Sequence, residues 1–304
     1  MSYGLLFSGQ GTQHPGMLPW LETSPASQPL LQAMADLLGR DWRAALAHAA
    51  LRSSNAFAQP LIVGTALAAW ATLATQLEQG PGAVAGYSVG ELPAFACAGV
   101  FSPHTALALA LQRASLMDAA VAGLDTGLLS VSGLPMAQLL QAHPALDCAI
   151  AIGADQGIYA GERGVLDACA LRLTAQGALC KLLEVRVASH SRWMASAAQG
   201  FAAQLQALPF ARPHAALVLN ASGASTRDPQ ALRSGLAAQI DHTVQWAACM
   251  DTLAEQGLAC VMEIGAGTTL SKMWNQRHPD IPARSLAEFR DGAGAARWLQ
   301  RGAG

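Results

Sequence analysis

The chain has 304 residues, of which 52% are hydrophobic and 12% are charged, and its formal net charge is −2. This length and composition predict a globular protein with one large domain or two smaller ones and exclude a disordered chain. The nearly neutral balance of charge gives no electrostatic reason to expect nucleic acid or a membrane surface as a partner. The longest apolar run, LIVGTALAAWATLATQL, is too short for a membrane span and predicts a buried helix.

The first half of the chain alternates apolar strands with helical patterns. The run YGLLFSGQGTQ predicts a buried strand that ends in a glycine-containing loop, and helical spacing follows over residues 28–51 and 59–78. The run AVAGYSVGE predicts a second strand, and helices are expected over residues 91–98 and 103–121. Ser102, followed by proline, is the expected N-cap of the last of these helices.

The middle of the chain has a different texture. Residues 125–187 show a β-α-β-α-β order, with strands predicted at TGLLSVSGL, DCAIAIG and ALCKLLEVRVAS, which predicts a small ferredoxin-like α+β subdomain inserted in the chain. Residues 1–124 and 188–304 then form a large subdomain, whose alternating strands and helices predict an α/β-hydrolase-like fold around a parallel sheet. The tail RDGAGAARWLQRGAG is the only segment predicted to be flexible.

The six cysteines and eight histidines do not form a metal-binding pattern. The sequence contains no CxxC pair, no Cys/His cluster and no HExxH or HxxxH spacing, so we predict no metal site and no cofactor. Scattered cysteines favour reduced thiols in a cytosolic protein. The start MSYGLLFSGQGTQ has no basic region followed by a long apolar core, so it does not predict a secretory signal, and we expect a cytoplasmic protein.

Ser88 lies in the pattern Gly-x-Ser-x-Gly, between a predicted strand and a predicted helix. This order is typical of a nucleophile elbow, a tight turn in which side chains at the two glycine positions would clash. The N–H groups that open the following helix could stabilise an oxyanion. The alternative is a small polar residue in an ordinary loop.

A nucleophilic serine needs a base, and His190 is the best candidate among the downstream histidines. It lies in VRVASHSRW, where an apolar strand ends and a helix begins. His104, His143 and His278 lie beside prolines and are expected at the surface. A histidine that only caps a helix or fills the core is the alternative for His190, and no convincing triad acid is found.

Six segments then occur in a characteristic order between residue 4 and about residue 277. They are FSGQGTQHPGM, GYSVGE, LQRASLM, VASHS, TVQW and EIGAGTTLSKM. Together they resemble the motifs of the malonyl-CoA:acyl carrier protein transacylases and of the related acyltransferase domains of polyketide and fatty acid synthases. The resemblance covers nearly the whole chain.

The resemblance implies a role for each matched residue. Ser88 would be the nucleophile that carries the acyl group, and His190 would be its base. Gln10 and Val89 would supply the backbone N–H groups of the oxyanion hole. Arg113 would hold the free carboxylate of a malonyl group, because a planar guanidinium pairs with a carboxylate through two hydrogen bonds.

The resemblance also indicates which residues surround Ser88 and His190. The resemblance implies that a backbone carbonyl near Gln245, instead of an aspartate, orients His190. Gln245, Ser189 and Tyr87 are expected to line the substrate pocket. Tyr87 stands where the family usually has histidine, so it is a candidate for tuning the choice of acyl group.

A stretch of the predicted small subdomain also departs from the family pattern. IGADQGIYAG keeps Gln156 and Gly161 but has Ile152 and Ala154 where most members carry asparagine and proline. This indicates a specialised member. The malonate decarboxylase epsilon subunit and a free-standing acyltransferase of a polyketide pathway are both compatible with the sequence, and VASHS does not distinguish malonyl from methylmalonyl groups.

The expected activity is transfer of a malonyl group from malonyl-CoA to the phosphopantetheine thiol of an acyl carrier protein, by a ping-pong mechanism through Ser88. Candidates for a basic surface that meets the carrier protein are Lys181, Arg186, Arg192 and Lys272. An acyl-thioester hydrolase on the same scaffold is the main alternative, although Arg113 argues against it. A non-catalytic docking subunit is the third possibility.

Overall fold

The computed structural model describes residues 2–303, which form two sheets surrounded by helices. The strands are β1 (Ser2–Phe7), β2 (Ala83–Gly86), β3 (Thr126–Ser132), β4 (Asp147–Ala151), β5 (Gln156–Glu162), β6 (Leu179–Leu182), β7 (Ala216–Val218), β8 (Ser225–Thr226), β9 (Leu258–Ile264) and β10 (Ala283–Ser285). The helices are α1 (Gln28–Leu38), α2 (Trp42–Ala45), α3 (Ala49–Ser53), α4 (Asn55–Ala74), α5 (Glu91–Cys97), α6 (Pro103–Ala120), α7 (Met136–Ala142), α8 (Arg163–Ala175), α9 (Ala195–Gln206), α10 (Pro229–Ala238), α11 (Trp246–Ala254), α12 (Thr269–Arg277) and α13 (Gly292–Ala303). Short 3-10 turns cover Pro19–Thr23, Ser88–Gly90, Arg192–Met194 and Leu286–Glu288.

The larger sheet has the strand order β10-β9-β1-β2-β7-β8 and confirms the predicted parallel sheet. All of its neighbouring strands are parallel except β8, which runs antiparallel to β7. Helices cover this sheet, so its central strands are continuous apolar runs instead of alternating ones; Leu5, Leu6 and Phe7 of β1 are all fully buried. The carboxyl ends of β1, β2 and β7 lie side by side at one edge of the sheet.

The smaller sheet is antiparallel, with the order β4-β5-β3-β6. Its elements follow each other as β-α-β-β-α-β, so the ferredoxin-like arrangement is confirmed, but strand β5 was not predicted. Gly157 and Gly161 weaken the strand signal in this segment. In the structure they allow close packing, since a Cβ at Gly161 would lie 3.0 Å from Leu146 Cδ2. The division into subdomains at residues 125 and 187 stays a prediction.

The edge of the smaller sheet is tied to the segment that precedes α11. Ala151 N donates to Val244 O and Val244 N donates to Ala149 O, both at 2.9 Å, which forms an isolated parallel bridge. Asp147, at the start of β4, accepts hydrogen bonds from the backbone N–H and the guanidinium of Arg192. These contacts hold β4 beside the two chain segments that follow residue 188.

The helical patterns of the first half occur with changed boundaries. The predicted helix over residues 28–51 is divided into α1, α2 and α3, because Gly39 ends α1 with a φ of +92° that favours glycine. The predicted helix over 59–78 is α4. This helix is long and apolar enough to cross a membrane, but 83% of its most apolar window is buried inside the protein. It therefore serves as a core helix here.

The prediction of a flexible tail is wrong for the described residues, because Gly292–Ala303 form helix α13, while Gly304 lies outside the described residues. Ala295, Ala296 and Leu299 form one apolar stripe of this helix, and all three are buried in the main core. The Asp291 carboxylate accepts a hydrogen bond from Gly294 N at 2.7 Å and so satisfies an N–H in the first turn. The many glycines concealed this stripe at the level of composition.

The packing of α13 predicts a stability effect. Replacing Leu299 by Ala should lower the free energy of unfolding by about 3 kcal/mol, because it removes a fully buried side chain and leaves a cavity. Leu171→Ala is the matched control, since the Leu171 side chain is 77% exposed. Urea unfolding of both variants measures the difference, and equal midpoints would contradict the docking of α13 on the core.

Candidate active site

The site is built on a strained turn at the end of β2. Ser88 has a φ of +56°, a left-handed conformation that is uncommon for residues other than glycine, and the chain then enters α5. The flanking glycines are required, as the sequence pattern predicts. A Cβ at Gly86 would lie 2.0 Å from Gly90 O, and a Cβ at Gly90 would lie 2.3 Å from Phe7 O.

The turn points the Ser88 side chain at His190. Ser88 Oγ lies 2.7 Å from His190 Nε2. His190 also has a left-handed backbone, with a φ of +60°, and its N–H donates to Ile240 O at 2.9 Å. The structure therefore brings together the predicted nucleophile and base, which are separated by about a hundred residues along the chain.

A backbone carbonyl orients the histidine ring, but it belongs to Gln239 and not to a residue beside Gln245. Gln239 follows the last turn of α10, where helix carbonyls have no partner within the helix and are free to accept. Because a carbonyl can only accept, Nδ1 of His190 carries the proton and Nε2 is left to accept from Ser88 Oγ–H.

His190 is held neutral. Its pKa is lowered to about 3, first by burial and then by the nearby positive charge of Arg113, while the hydrogen bond to Gln239 opposes the shift. A neutral imidazole that accepts from a serine hydroxyl is in the protonation state that a general base requires.

Arg113 lies in α6 with 1% of its surface exposed, and its partners are neutral. Its Nη1 donates to Gln59 Oε1 at 2.8 Å and its Nη2 donates to Gln239 Oε1 at 3.1 Å. Its Nε has no hydrogen-bond partner, and no carboxylate among residues 2–303 forms an ion pair with it. Burial lowers the Arg113 pKa to about 10, which leaves the group charged at neutral pH. Gln239 thus contacts both Arg113 and His190.

Asn220 and Glu91 are site residues that the sequence reasoning did not single out. Both are fully buried beside the elbow. The side-chain oxygen Oδ1 of Asn220 accepts a hydrogen bond from Ser88 N, and the backbone N–H of Asn220 donates to Glu91 Oε1 at 2.8 Å. The only available signals were the position of Glu91 in GYSVGE and a polar residue directly after the apolar run of β7. Burial raises the pKa of Glu91 to about 8.

The other predicted residues surround the same edge of the sheet. Gln10 follows β1, in a loop that packs against the elbow, since a Cβ at Gly9 would lie 2.6 Å from Tyr87 O. Val89 is the buried residue after Ser88. The Tyr87 ring meets Trp246 edge-on, with 4.9 Å between centroids. The roles of these residues stay predictions.

Four further residues from the sequence analysis have these positions. Ser189 is buried directly before His190. Gln245 donates its backbone N–H to Asn220 O at 2.8 Å, and Asn220 in turn contacts Ser88 N. Ile152 is buried and Ala154 is exposed, both in the connection between β4 and β5. Within residues 2–303, no three His, Cys, Asp or Glu side chains are grouped as a metal ion would require.

A serine on a strand–turn–helix elbow, paired with a neutral histidine in an α/β fold, defines the class of enzymes that move acyl groups through a serine ester. Within that class the chain belongs to the acyl transferase domain family, whose sequence profile matches residues 5–287.

Individual relatives are similar along nearly their whole length. The malonyl CoA-acyl carrier protein transacylase of Mycobacterium bovis is 34% identical over 290 residues, which cover 93% of this chain and 95% of the relative. The crystal structure of MCAT from Mycobacterium tuberculosis superimposes with a TM-score of 0.86 at 31% identity, covering 97% of this chain and 99% of that one. The structure of a type II PKS acyl-carrier protein in complex with its malonyl-transacylase gives a TM-score of 0.90 at 25% identity. The match covers 99% of this chain and 100% of that one.

The packing around the elbow predicts a severe effect of a single methyl group. Gly86→Ala should lower stability by about 3 kcal/mol or more, because the new Cβ would overlap the backbone of Gly90 and Glu91. Gly80→Ala is the control, since a Cβ there meets open space. Thermal unfolding measures both, and equal melting temperatures would show that the turn is wider than described.

The lowered pKa of His190 predicts the pH dependence of Ser88 reactivity. Labelling of Ser88 by phenylmethanesulfonyl fluoride should stay nearly constant from pH 7.5 to pH 5, because His190 remains neutral down to about pH 3. A histidine with the usual pKa of about 6.5 would instead lose about 30-fold over this range. Labelling followed by intact mass gives the profile, and a midpoint near pH 6.5 would contradict the buried neutral state.

The same shift has a consequence for stability. Between pH 6.5 and about pH 3 the unfolded chain binds a proton at this histidine that the folded chain does not bind, so the His190 contribution destabilises the fold as pH falls. Labelling is therefore measured only at pH values where circular dichroism shows the folded state.

Proposed function

We propose that this chain transfers a malonyl group from malonyl-CoA to the phosphopantetheine thiol of an acyl carrier protein, through an ester on Ser88. The observation that carries this proposal is the buried guanidinium of Arg113, which lies beside the Ser88–His190 pair with glutamine oxygens as its partners. The names of the relatives, malonyl CoA-acyl carrier protein transacylases, agree with it.

Glu91 is an acidic group that acts on Arg113, but burial raises the Glu91 pKa to about 8, so at neutral pH this carboxyl group is mostly protonated. A buried charge without an opposite charge is costly, so the guanidinium of Arg113 favours an anionic ligand. Glutamine oxygens fix its orientation without neutralising it. A malonyl group carries a free carboxylate at the end remote from its thioester, and an acetyl group has none. Arg113 therefore selects acyl groups with a terminal carboxylate and holds the thioester carbonyl near Ser88.

Binding of that carboxylate would also strengthen the base. The positive charge of Arg113 is the second-largest cause of the low His190 pKa. When the substrate carboxylate neutralises it, this contribution is lost and the pKa of His190 rises. The base would thus become stronger only when an acyl group with a carboxylate is in place.

In the first half-reaction His190 Nε2 accepts the proton of Ser88 Oγ as the oxygen attacks the thioester carbonyl. The N–H groups of Gln10 and Val89 are the proposed donors to the oxyanion. Collapse of the tetrahedral intermediate breaks the C–S bond, and His190 returns the proton to the CoA sulfur. The malonyl group remains on Ser88 as an ester.

In the second half-reaction the phosphopantetheine thiol of the carrier protein takes the place of CoA. His190 accepts the thiol proton, the sulfur attacks the ester, and the proton passes to Ser88 Oγ as the C–O bond breaks. Lys181, Arg186 and Lys272 are exposed and remain candidates for meeting an acidic carrier protein. Arg192 is engaged with Asp147 and is a weaker candidate.

We assign the reaction to the cytoplasm, because all six cysteines are free thiols, as expected in a reducing compartment. Two specialised roles suggested by the sequence stay open: a malonate decarboxylase epsilon subunit and a free-standing acyltransferase of a polyketide pathway. The carrier protein that accepts the malonyl group separates these roles.

Intact mass of the pure protein after incubation with malonyl-CoA tests this proposal. Wild type should gain one malonyl group, Ser88→Ala should gain none, and Arg113→Ala should be acylated about 10- to 100-fold more slowly, because charge-assisted hydrogen bonds to the carboxylate are lost. Arg227→Ala, at an exposed arginine, should behave like wild type. Acetyl-CoA should give little adduct with any variant.

The alternatives give different results in the same experiment. Release of free malonate without carrier protein, at a rate comparable to acylation, would indicate a hydrolase. No adduct and no free acid from wild type would indicate a docking subunit. Equal acylation of wild type and Arg113→Ala would remove the role of the guanidinium in choosing the acyl group.

A further inference from the structure

We propose that Asn220 is a positioning residue that holds the elbow of Ser88 in its reactive conformation through its side-chain amide. The inference rests on the proposed acyl transfer through Ser88. Nothing in the motif pattern of the chain assigns a role to this residue, which follows β7 in the run AALVLNASG.

The amide of Asn220 spans the elbow from one side to the other. Its Oδ1 accepts a hydrogen bond from Ser88 N at 2.8 Å, and its Nδ2 donates to Gly86 O at 2.6 Å. The side chain therefore bridges the last residue of β2 and the nucleophile itself, on either side of Tyr87.

Asn220 is itself held rigidly in place. It is fully buried, its N–H donates to Glu91 Oε1 at 2.8 Å, and its carbonyl accepts from Gln245 N at 2.8 Å. Two backbone contacts and two side-chain contacts leave it no alternative orientation. We call the hydrogen bonds of Asn220 to Gly86, Ser88 and Glu91 the Asn220 clamp. Glu91 begins the helix that follows Ser88, so this clamp joins β2, the turn and α5 into one unit.

A left-handed residue other than glycine persists only when the surrounding contacts determine its conformation. Tyr87 N still donates to Phe7 O of β1, but the pairing of β2 with β7 ends at Ala85 and Val218, so Gly86 O and Ser88 N need other partners. Asn220 supplies both. Because Ser88 N is engaged with Oδ1, it is not free to bind an oxyanion, which leaves that task to neighbouring N–H groups such as that of Val89.

This arrangement predicts an effect on reactivity at Ser88 that exceeds any effect on substrate binding. Without the clamp, Ser88 Oγ would move relative to His190 Nε2, and a displacement of about 1 Å costs about 100-fold in rate. Asn220 is buried behind the turn, so the KM for malonyl-CoA should change little while kcat falls.

The test compares Asn220→Ala and Asn220→Asp with Asn275→Ala. Asn275 is the matched control, because its amide also bridges a backbone N–H and C=O, at 2.8 and 2.9 Å, but at Ala283, away from the elbow. The probe is the rate at which phenylmethanesulfonyl fluoride labels Ser88, measured by intact mass and corrected for the folded fraction from circular dichroism.

Asn220→Ala should be labelled about 100-fold more slowly than wild type, and kcat with malonyl-CoA should fall in parallel with KM within about twofold. Asn220→Asp keeps the acceptor for Ser88 N but loses the donor to Gly86 O, so its labelling rate should lie between the rates of wild type and Asn220→Ala. Asn275→Ala should match wild type in both rates, even if its melting temperature falls.

Labelling of folded Asn220→Ala at the wild-type rate would overturn the proposal. If that variant does not fold, labelling of Asn220→Asp at the wild-type rate would have the same meaning. The sulfonyl probe needs no acyl donor, so wild type that is labelled by it but not by malonyl-CoA would refute the proposed function alone. A loss of kcat in Asn275→Ala equal to that in Asn220→Ala would show a merely structural effect.

Discussion

Parallel pairing of β1, β2 and β7 brings three strand ends to one edge of the larger sheet, and the site depends on this alignment. At this edge, the loop with Gln10 follows β1, the turn with Ser88 follows β2, and the segment with Asn220 follows β7. Each strand end has backbone groups that the sheet no longer pairs, so short polar side chains and neighbouring loops satisfy them. The nucleophile therefore rests on a rigid frame, although it lies in a strained turn.

The second feature of the site is burial of charge without full compensation. Arg113, Glu91 and His190 have pKa values of about 10, about 8 and about 3, and for each of them burial is the largest cause of the shift toward the neutral form. His190 is left neutral and able to accept a proton. Arg113 stays charged at neutral pH with glutamine oxygens as its partners, and under the proposed function it receives the carboxylate of the acyl group.

Gln239 connects these two features. Its carbonyl sets the tautomer of His190, and its side-chain oxygen holds Arg113. A movement of this residue would change the orientation of the base and the position of the guanidinium together. Under the proposed function, Gln239 would therefore connect binding of the acyl carboxylate at Arg113 with proton transfer at His190.

The errors made from sequence share a cause. Strand β5 and helix α13 were missed because their glycines lower local propensity, while burial of their apolar residues stabilises them in the fold. The carbonyl beside His190 was expected near Gln245 because local motifs do not reveal which helix end lies against the ring. Such contacts join segments that are distant along the chain.

The sequence by itself determined the parallel sheet, the inserted α+β subdomain and the elbow at Ser88, and the resemblance of its ordered motifs indicated His190 as the partner of Ser88. These follow from local periodicity, from glycine spacing and from the ordered motifs, all of which are properties of short segments. Only the tertiary structure decided the roles of Gln59, Gln239 and Asn220, because an amide has no characteristic spacing and gains its function from the groups that folding places beside it. A buried hydrogen bond needs two partners, and the sequence around one of them does not show which distant residue is the other.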